Sequence, residues 1–226
     1  MKTLIIGLFV FFSALGLRQI WQAGPFKKKA IGPSFEEQFA TFQILGFDLN
    51  PGASVKDILR WEEGKKEFED EPWTLMYITL GQSLERDPWT PLTDRCWNFD
   101  LEAIEDHGSY VSIMENISRI TNGELEFRNL RDYVDLEEEV AWVSFELNGR
   151  NYKWNLRVDD DWADGDLFDK VQELARFYDA NGRFTYFNTG GQDFVLGYLN
   201  EEEFHEIKEA TGLQIKWLKA KGQIYR

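Results

Sequence analysis

Between Asp159 and Asp166 the chain reads DDDWADGD, five carboxylates within eight residues around one Trp and one Gly. Carboxylate oxygens at this density are the donors that a hard cation such as calcium selects. An EF-hand loop needs acids at positions one, three and five, Gly at six and Glu at twelve. Counted from Asp160, position three is Trp162 and position twelve is Val171. Counted from Asp159, position five is Ala163 and position six is Asp164. Neither frame fits, so a calcium site here would be of another kind, drawing on Asp159, Asp161, Asp164 and Asp166. The competing account is structural: the stretch joins a strand to a helix. Asp164 is suited to cap that helix, and Asp166 and Asp169 suit the positive end of its dipole.

A second constellation is Cys96 with His107, 11 residues apart, beside Asp106. A thiol next to an imidazole can become a thiolate nucleophile, but no nucleophile motif surrounds Cys96, and a buried small residue is the simpler reading. Glu102, Glu105 and Asp106 near His107 form a third group, able to hold a cation or serve as a general base, or to be a solvated loop. The fourth is NTGGQD, Asn188 to Asp193. Gly190 and Gly191 allow a ligand close to the backbone, with Gln192 and Asp193 to orient it. No Lys follows the glycines at P-loop spacing, which leaves a hairpin turn as the alternative to a small-ligand loop. Among the nine Trp, Trp97, Trp142 and Trp154 fall in apolar-patterned segments. Trp61, Trp89 and Trp162 sit in polar surroundings. Trp162 among the aspartates offers a contact patch, because Trp is a frequent interface anchor, with the covering of a core edge as the competing and simpler account for any single one of these three.

Composition narrows the classes. With 43% hydrophobic and 15% aromatic residues, the 226-residue chain has ample material for a packed core. A single Cys excludes an internal disulfide framework and any Cys-cluster metal site, and two His exclude a multi-His site. The first 33 residues carry five basic side chains and no acid. They leave a charge of −20 on the remainder out of −15 for the whole. Such a surface repels nucleic-acid backbones and anionic lipid heads, so nucleic-acid binding is discarded, and a basic protein partner or a divalent cation remains.

The N-terminus is a separate module. Leu4 to Leu17 is an uncharged apolar run preceded by Lys2, as in a signal peptide. Extended from Thr3 to Trp21, it spans about 28 Å as a helix, close to the hydrocarbon thickness of a bilayer. Arg18 and Lys27 to Lys29 lie downstream, and positive charge there favours an uncleaved anchor with the following domain in the cytoplasm. A cleaved signal, with a secreted or periplasmic domain, is the alternative. Residues 1–23 are therefore read as signal or anchor, 24–33 as a basic Pro/Gly linker, and 34–226 as an acidic domain.

Within that domain, Ser34 and Glu37 form a capping box ahead of a helix that stops near Gly46. Ser54 caps a short helix, Glu62–Glu71 is exposed, and Trp73–Leu80 fits a helix or a buried strand. Gln82–Arg95 is a loop and Cys96–Leu101 a strand. Apolar spacing predicts helices at Ser109–Thr121 and Asp166–Tyr178. Asn148-Gly149 between Val140–Leu147 and Tyr152–Val158 predicts a hairpin. Strands at Arg183–Phe187 and Phe194–Leu199, a helix capped by Asn200 and a last strand at Leu213–Leu218 complete the order. Hairpins interspersed with helices predict an α+β fold, an antiparallel-rich sheet with helices on one face, preceded by the N-terminal hydrophobic helix.

In composition alone, the domain is similar to small acidic α+β immunity proteins that neutralise cationic toxins. That resemblance implies a non-enzymatic partner-binding protein. The expectation is a membrane-tethered acidic interaction domain with Trp162 in its patch. The alternative is a divalent-cation module or metal-dependent hydrolase centred on Asp159–Asp166.

Overall fold

The computed structural model describes residues 32–60 and 63–219. The anchor segment, most of the linker and Trp61 lie outside the described residues, and among those described no helix is long and apolar enough to cross a membrane. The fold is mixed α+β with antiparallel sheets.

Four helices come first: α1 (Phe35–Ile44), α2 (Val55–Ile58), α3 (Lys65–Asp70) and α4 (Thr74–Leu80). The Ser34 capping box forms as predicted, with the Glu37 carboxylate accepting the Ser34 amide at 2.8 Å. Trp73–Leu80, open between helix and strand in the sequence, is helical after Trp73. Buried Gln38 fixes that entry. Its Oε1 accepts the Trp73 amide at 2.9 Å, while its Nε2 donates to Phe68 O at 2.8 Å. A polar side chain fully inside the core is tolerated because both ends of its amide are bonded. The charged segment expected to be exposed holds α3, whose Phe68 is buried.

The small hairpin β1 (Ser83–Leu84) and β2 (Thr90–Pro91) leads to β3 (Cys96–Asp100) and α5 (Ser109–Ile120). A three-stranded meander follows, β4 (Arg128–Asp135), β5 (Val140–Leu147) and β6 (Arg150–Leu156). Asn148 and Gly149 both take positive φ, 50° and 74°, the two-residue turn that matches strand twist. Then come α6 (Asp166–Phe177), β7 (Arg183–Asn188), β8 (Asp193–Leu199), α7 (Glu201–Thr211) and β9 (Lys216–Trp217). The capping box of Asn200 and the left-handed Gly212 bound α7. The second sheet is ordered β3-β8-β7-β9.

Helices do not keep to one face. Along β8 the side chains of Phe194, Leu196 and Tyr198 enter a core shared with α5, α6 and the meander. Val195 and Leu199 enter another, shared with α1, α4 and α7. The four-stranded sheet is covered on both sides, which is why β8 reads as an unbroken apolar run with no alternation. At Gly197 a Cβ would lie 2.7 Å from Thr185 Oγ1, so only glycine fits between the strands there.

Candidate functional site

DDDWADGD is a clip between β6 and α6. The Ala163 amide donates to Leu101 O at 2.8 Å and the Ile104 amide to Asp161 O at 2.9 Å. Trp162 bridges Glu102, so the stretch pairs briefly with the chain leaving β3. Asp164 is 5% exposed. Its Oδ2 accepts the Arg157 amide at 2.8 Å and its Oδ1 the Asp166 amide at 3.1 Å. One carboxylate thus ends β6 and starts α6, standing one residue before Gly165, the N-cap by backbone geometry. Its own amide donates to the Tyr110 hydroxyl at 3.1 Å, and burial pushes that phenol up to about 12. Asp166, exposed, and Asp169, half-buried, lie in the first turn of α6.

As they stand, Asp159, Asp161, Asp164 and Asp166 do not gather around a common point. Among the described residues no group of three or more His, Cys, Asp or Glu is placed to hold a metal ion. The reason is local: Asp164 turns inward to backbone amides, whereas Asp159 is exposed and pairs with Arg157 at 3.4 Å.

The β7–β8 turn is NTGGQD. Gly190 adopts φ 93°, which glycine tolerates, and the Asn188 side chain accepts its amide at 2.7 Å. Thr189 Oγ1 donates to the Asp193 region, 2.7 Å from its carboxylate. That carboxylate also accepts Asn98 Nδ2 at 2.7 Å. Gln192 Nε2 donates to Glu102 at 2.8 Å and to Asp100 at 3.0 Å. The turn is thereby fastened to the same Asp100–Glu102 segment that the aspartate stretch grips from its other side.

Two stretches about 30 residues apart therefore wall one cleft of about 540 Å³. Trp162, Asp159 and Arg157 form one rim, and Gly191, Gln192 and Asp193 the other. Buried Leu101, Ala163 and Phe194 line its apolar part. Gly190 sits beside the rim without lining it. Trp162 is 37% exposed, so indole surface remains available to a ligand. Arg157, Tyr186 and the bracing Asn98 and Asp100 were not singled out by sequence reasoning. For Arg157 the signal was present, since strand alternation places it on the wet side with Lys153 and Asn155.

The other constellations disperse. Cys96 is fully buried in the core on the α1/α4/α7 side, and burial pushes its thiol up to about 12. His107 is exposed, its ring 4.7 Å from that of Tyr133. Its Nδ1 lies 2.6 Å from Asp106, and the His107 amide and ring hold the Asp106 carboxyl below the ordinary aspartate range. Glu102 is engaged by Gln192, away from that pair. No protein-family model, curated protein or solved structure matches the chain.

Proposed function

We infer that this domain is a non-enzymatic interaction module, tethered to the membrane by residues 3–21 with its bulk in the cytoplasm, and that the Trp162 cleft receives a cationic side chain of a basic protein partner. The observation that carries the reading is the meeting of an exposed indole with carboxylates at one concave place. Among the described residues Arg157 is the one basic side chain lining the cleft and is paired with Asp159, while Asp193 and the adjoining Asp100 and Glu102 keep the rim acidic. A guanidinium or ammonium set over an indole face and flanked by carboxylates gains both cation–π and Coulomb attraction. The charge of −20 over residues 34–226 steers such a partner from a distance. Neutralisation of a cationic toxin is a special case of the same surface.

The test is titration of the protein with an arginine-rich peptide and with its glutamine-substituted counterpart. Affinity for the basic peptide should fall as salt rises from tens to hundreds of millimolar, and about tenfold with Trp162→Ala. Binding indifferent to salt, or unchanged in Trp162→Ala, sinks the assignment. Protease protection of intact and opened cells tests the tether separately.

A further inference from the structure

A second cleft, of about 780 Å³, opens beside β3. Asn98 and Asp100 line it, while their partners Asp193 and Gln192 line the Trp162 cleft, so those two hydrogen bonds form the partition between them. Its floor is β3 at Trp97 to Phe99. One wall is α5 at half-buried Ser109 and Asn116 and exposed Ser112, and the other is the Gln82–Trp89 segment.

Trp89 is 64% exposed. Its loop is nevertheless tied down. The Arg86 guanidinium donates to Gly52 O and pairs with Asp57, and Thr90 Oγ1 donates to Pro88 O at 2.8 Å. An indole held out into solvent on a braced loop shares the lining with a second, half-buried indole, Trp97, packed 4.6 Å from Phe99. The same lining holds Gln82, whose Oε1 accepts from Arg60 and whose Nε2 remains a donor, Asn98, whose Nδ2 donates to Asp193 and whose Oδ1 remains an acceptor, and the hydroxyls of Ser83 and Ser112. The Asn116 amide is bonded to Ser112 O and Arg119 within α5.

Several ligand classes fail on this lining. Arg60, Glu85, Asp100 and Glu105 sum to a net negative charge, and Arg60 is bonded to Gln82, so an anion is disfavoured. The N-terminal amides of α5 offer an anion nothing either. Gly108, Tyr110 and Val111 all donate to the Asp132 carboxylate, at 2.8, 2.9 and 3.2 Å. A strand-forming peptide finds the β3 edge occupied, because the Asn98 amide already donates to Gly81 O at 2.8 Å. A purely apolar ligand would cover Gln82 Nε2, Asn98 Oδ1 and the Ser83 and Ser112 hydroxyls and give them no polar partner.

A ligand that presents C–H faces to the indoles and hydroxyls to the remaining polar groups fits this lining. The positive C–H groups of a sugar ring suit the negative face of an indole, its hydroxyls pair with donors and acceptors alike, and the volume lies in the range of small-ligand sites. We propose that this cleft binds a short neutral oligosaccharide, with Trp89 and Trp97 as stacking walls and Gln82 Nε2, Asn98 Oδ1 and the Ser83 and Ser112 hydroxyls as hydroxyl partners. No covalent bond is made or broken, and the sugar would sit on the opposite side of the Asn98–Asp193 partition from the Trp162 cleft.

The test is calorimetric titration of the full chain with a panel of neutral tri- to hexasaccharides, differing in ring stereochemistry and linkage, together with sulfated and uronic-acid counterparts. At least one neutral oligosaccharide should bind saturably at up to millimolar concentration. Trp89→Ala, at an exposed position, and Ser112→Tyr, which fills the cleft from the exposed face of α5, should each weaken it about tenfold with the thermal melt unchanged. Trp162→Ala should bind the sugar as the parent does. No binding by any neutral member, a preference for the anionic sugars, or affinity unaffected by both Trp89→Ala and Ser112→Tyr overturns the proposal.

Discussion

The start of α5 depends on a side chain from another element, and removing it should have a measurable cost. Gly108, the N-cap, has no side chain to offer. Asp132, on β4, supplies the cap from a distance, accepting the Gly108, Tyr110 and Val111 amides within 3.2 Å. Losing a cap costs about 1 kcal/mol, up to about 2. Losing a negative charge at a helix N-terminus adds about 0.3–1 kcal/mol. Asp132→Ala should therefore destabilise the domain by about 2–3 kcal/mol. Asp132→Asn, which keeps an acceptor oxygen and loses the charge, should cost about 1 kcal/mol. For a chain of this size those losses lower the melting temperature by about 4–12 °C and about 2–4 °C. Urea denaturation of the parent, both variants and a Glu137→Ala surface control would give the free energies, and repetition at high salt would isolate the charge component. A cost for Asp132→Ala within about 0.5 kcal/mol of the surface control would refute the reasoning. So would an Asn variant as unstable as the Ala variant, since that outcome assigns everything to charge and nothing to the hydrogen bonds.

Three other perturbations follow from the same geometry. Asp164→Ala leaves the Arg157 and Asp166 amides without their acceptor and should cost about 2–3 kcal/mol, whereas Asp161→Ala should stay within about 0.5 kcal/mol, and calcium should not shift the melt of parent or variant. Burial works to raise the Glu124 carboxyl, but bonds from Tyr198, Gly182 and Asn181 outweigh it and set it below the ordinary glutamate range. A depressed carboxyl contributes stability that is present above its unfolded value and lost as pH falls through its folded value, so Glu124→Gln should flatten the acid side of the stability profile without steepening the neutral side. The Cys96 thiol, buried and pushed up to about 12, should resist iodoacetamide at neutral pH until denaturant is added, and labelling of the native protein would contradict its placement.

Local signals carried most of the element positions. Asn148-Gly149 named its hairpin, the apolar spacing of Ile113, Met114 and Ile117 named α5, and Ser34 and Asn200 named their helix starts. β4 escaped because RNLRDYVD has no clean alternation. Only Val134 is buried, the register shifts between Arg128 and Arg131, and the strand persists through pairing with β5. α3 hid because one buried Phe68 sits among charges. The two-sided burial of the second sheet was written in the unbroken run of β8, which the expectation of one covered face passed over. The cleft lay beyond local reading altogether. Trp162 and Gln192 come together only because both grip the chain at Asp100–Glu102, and no spacing within either stretch encodes that third partner.

The pairing of β3 with β8 has a consequence for how the chain assembles. The meander closes within residues 128–156, among neighbours in sequence, and can form as it is made. Strand β3 cannot: its Asn98 meets Asp193 across 95 residues. At about 5–20 residues per second of synthesis, β3 waits roughly 5–20 s for its partner. Throughout that interval Cys96 and Phe99, which end in different cores, lack the β8 side chains that belong to each. Completion of β8 supplies side chains to both at once, and α7, made next, adds to the core shared with α1 and α4. A nascent or truncated chain that stops short of β8 holds a finished meander beside an unpartnered apolar strand, and that strand is the segment a chaperone or an aggregate would seize first.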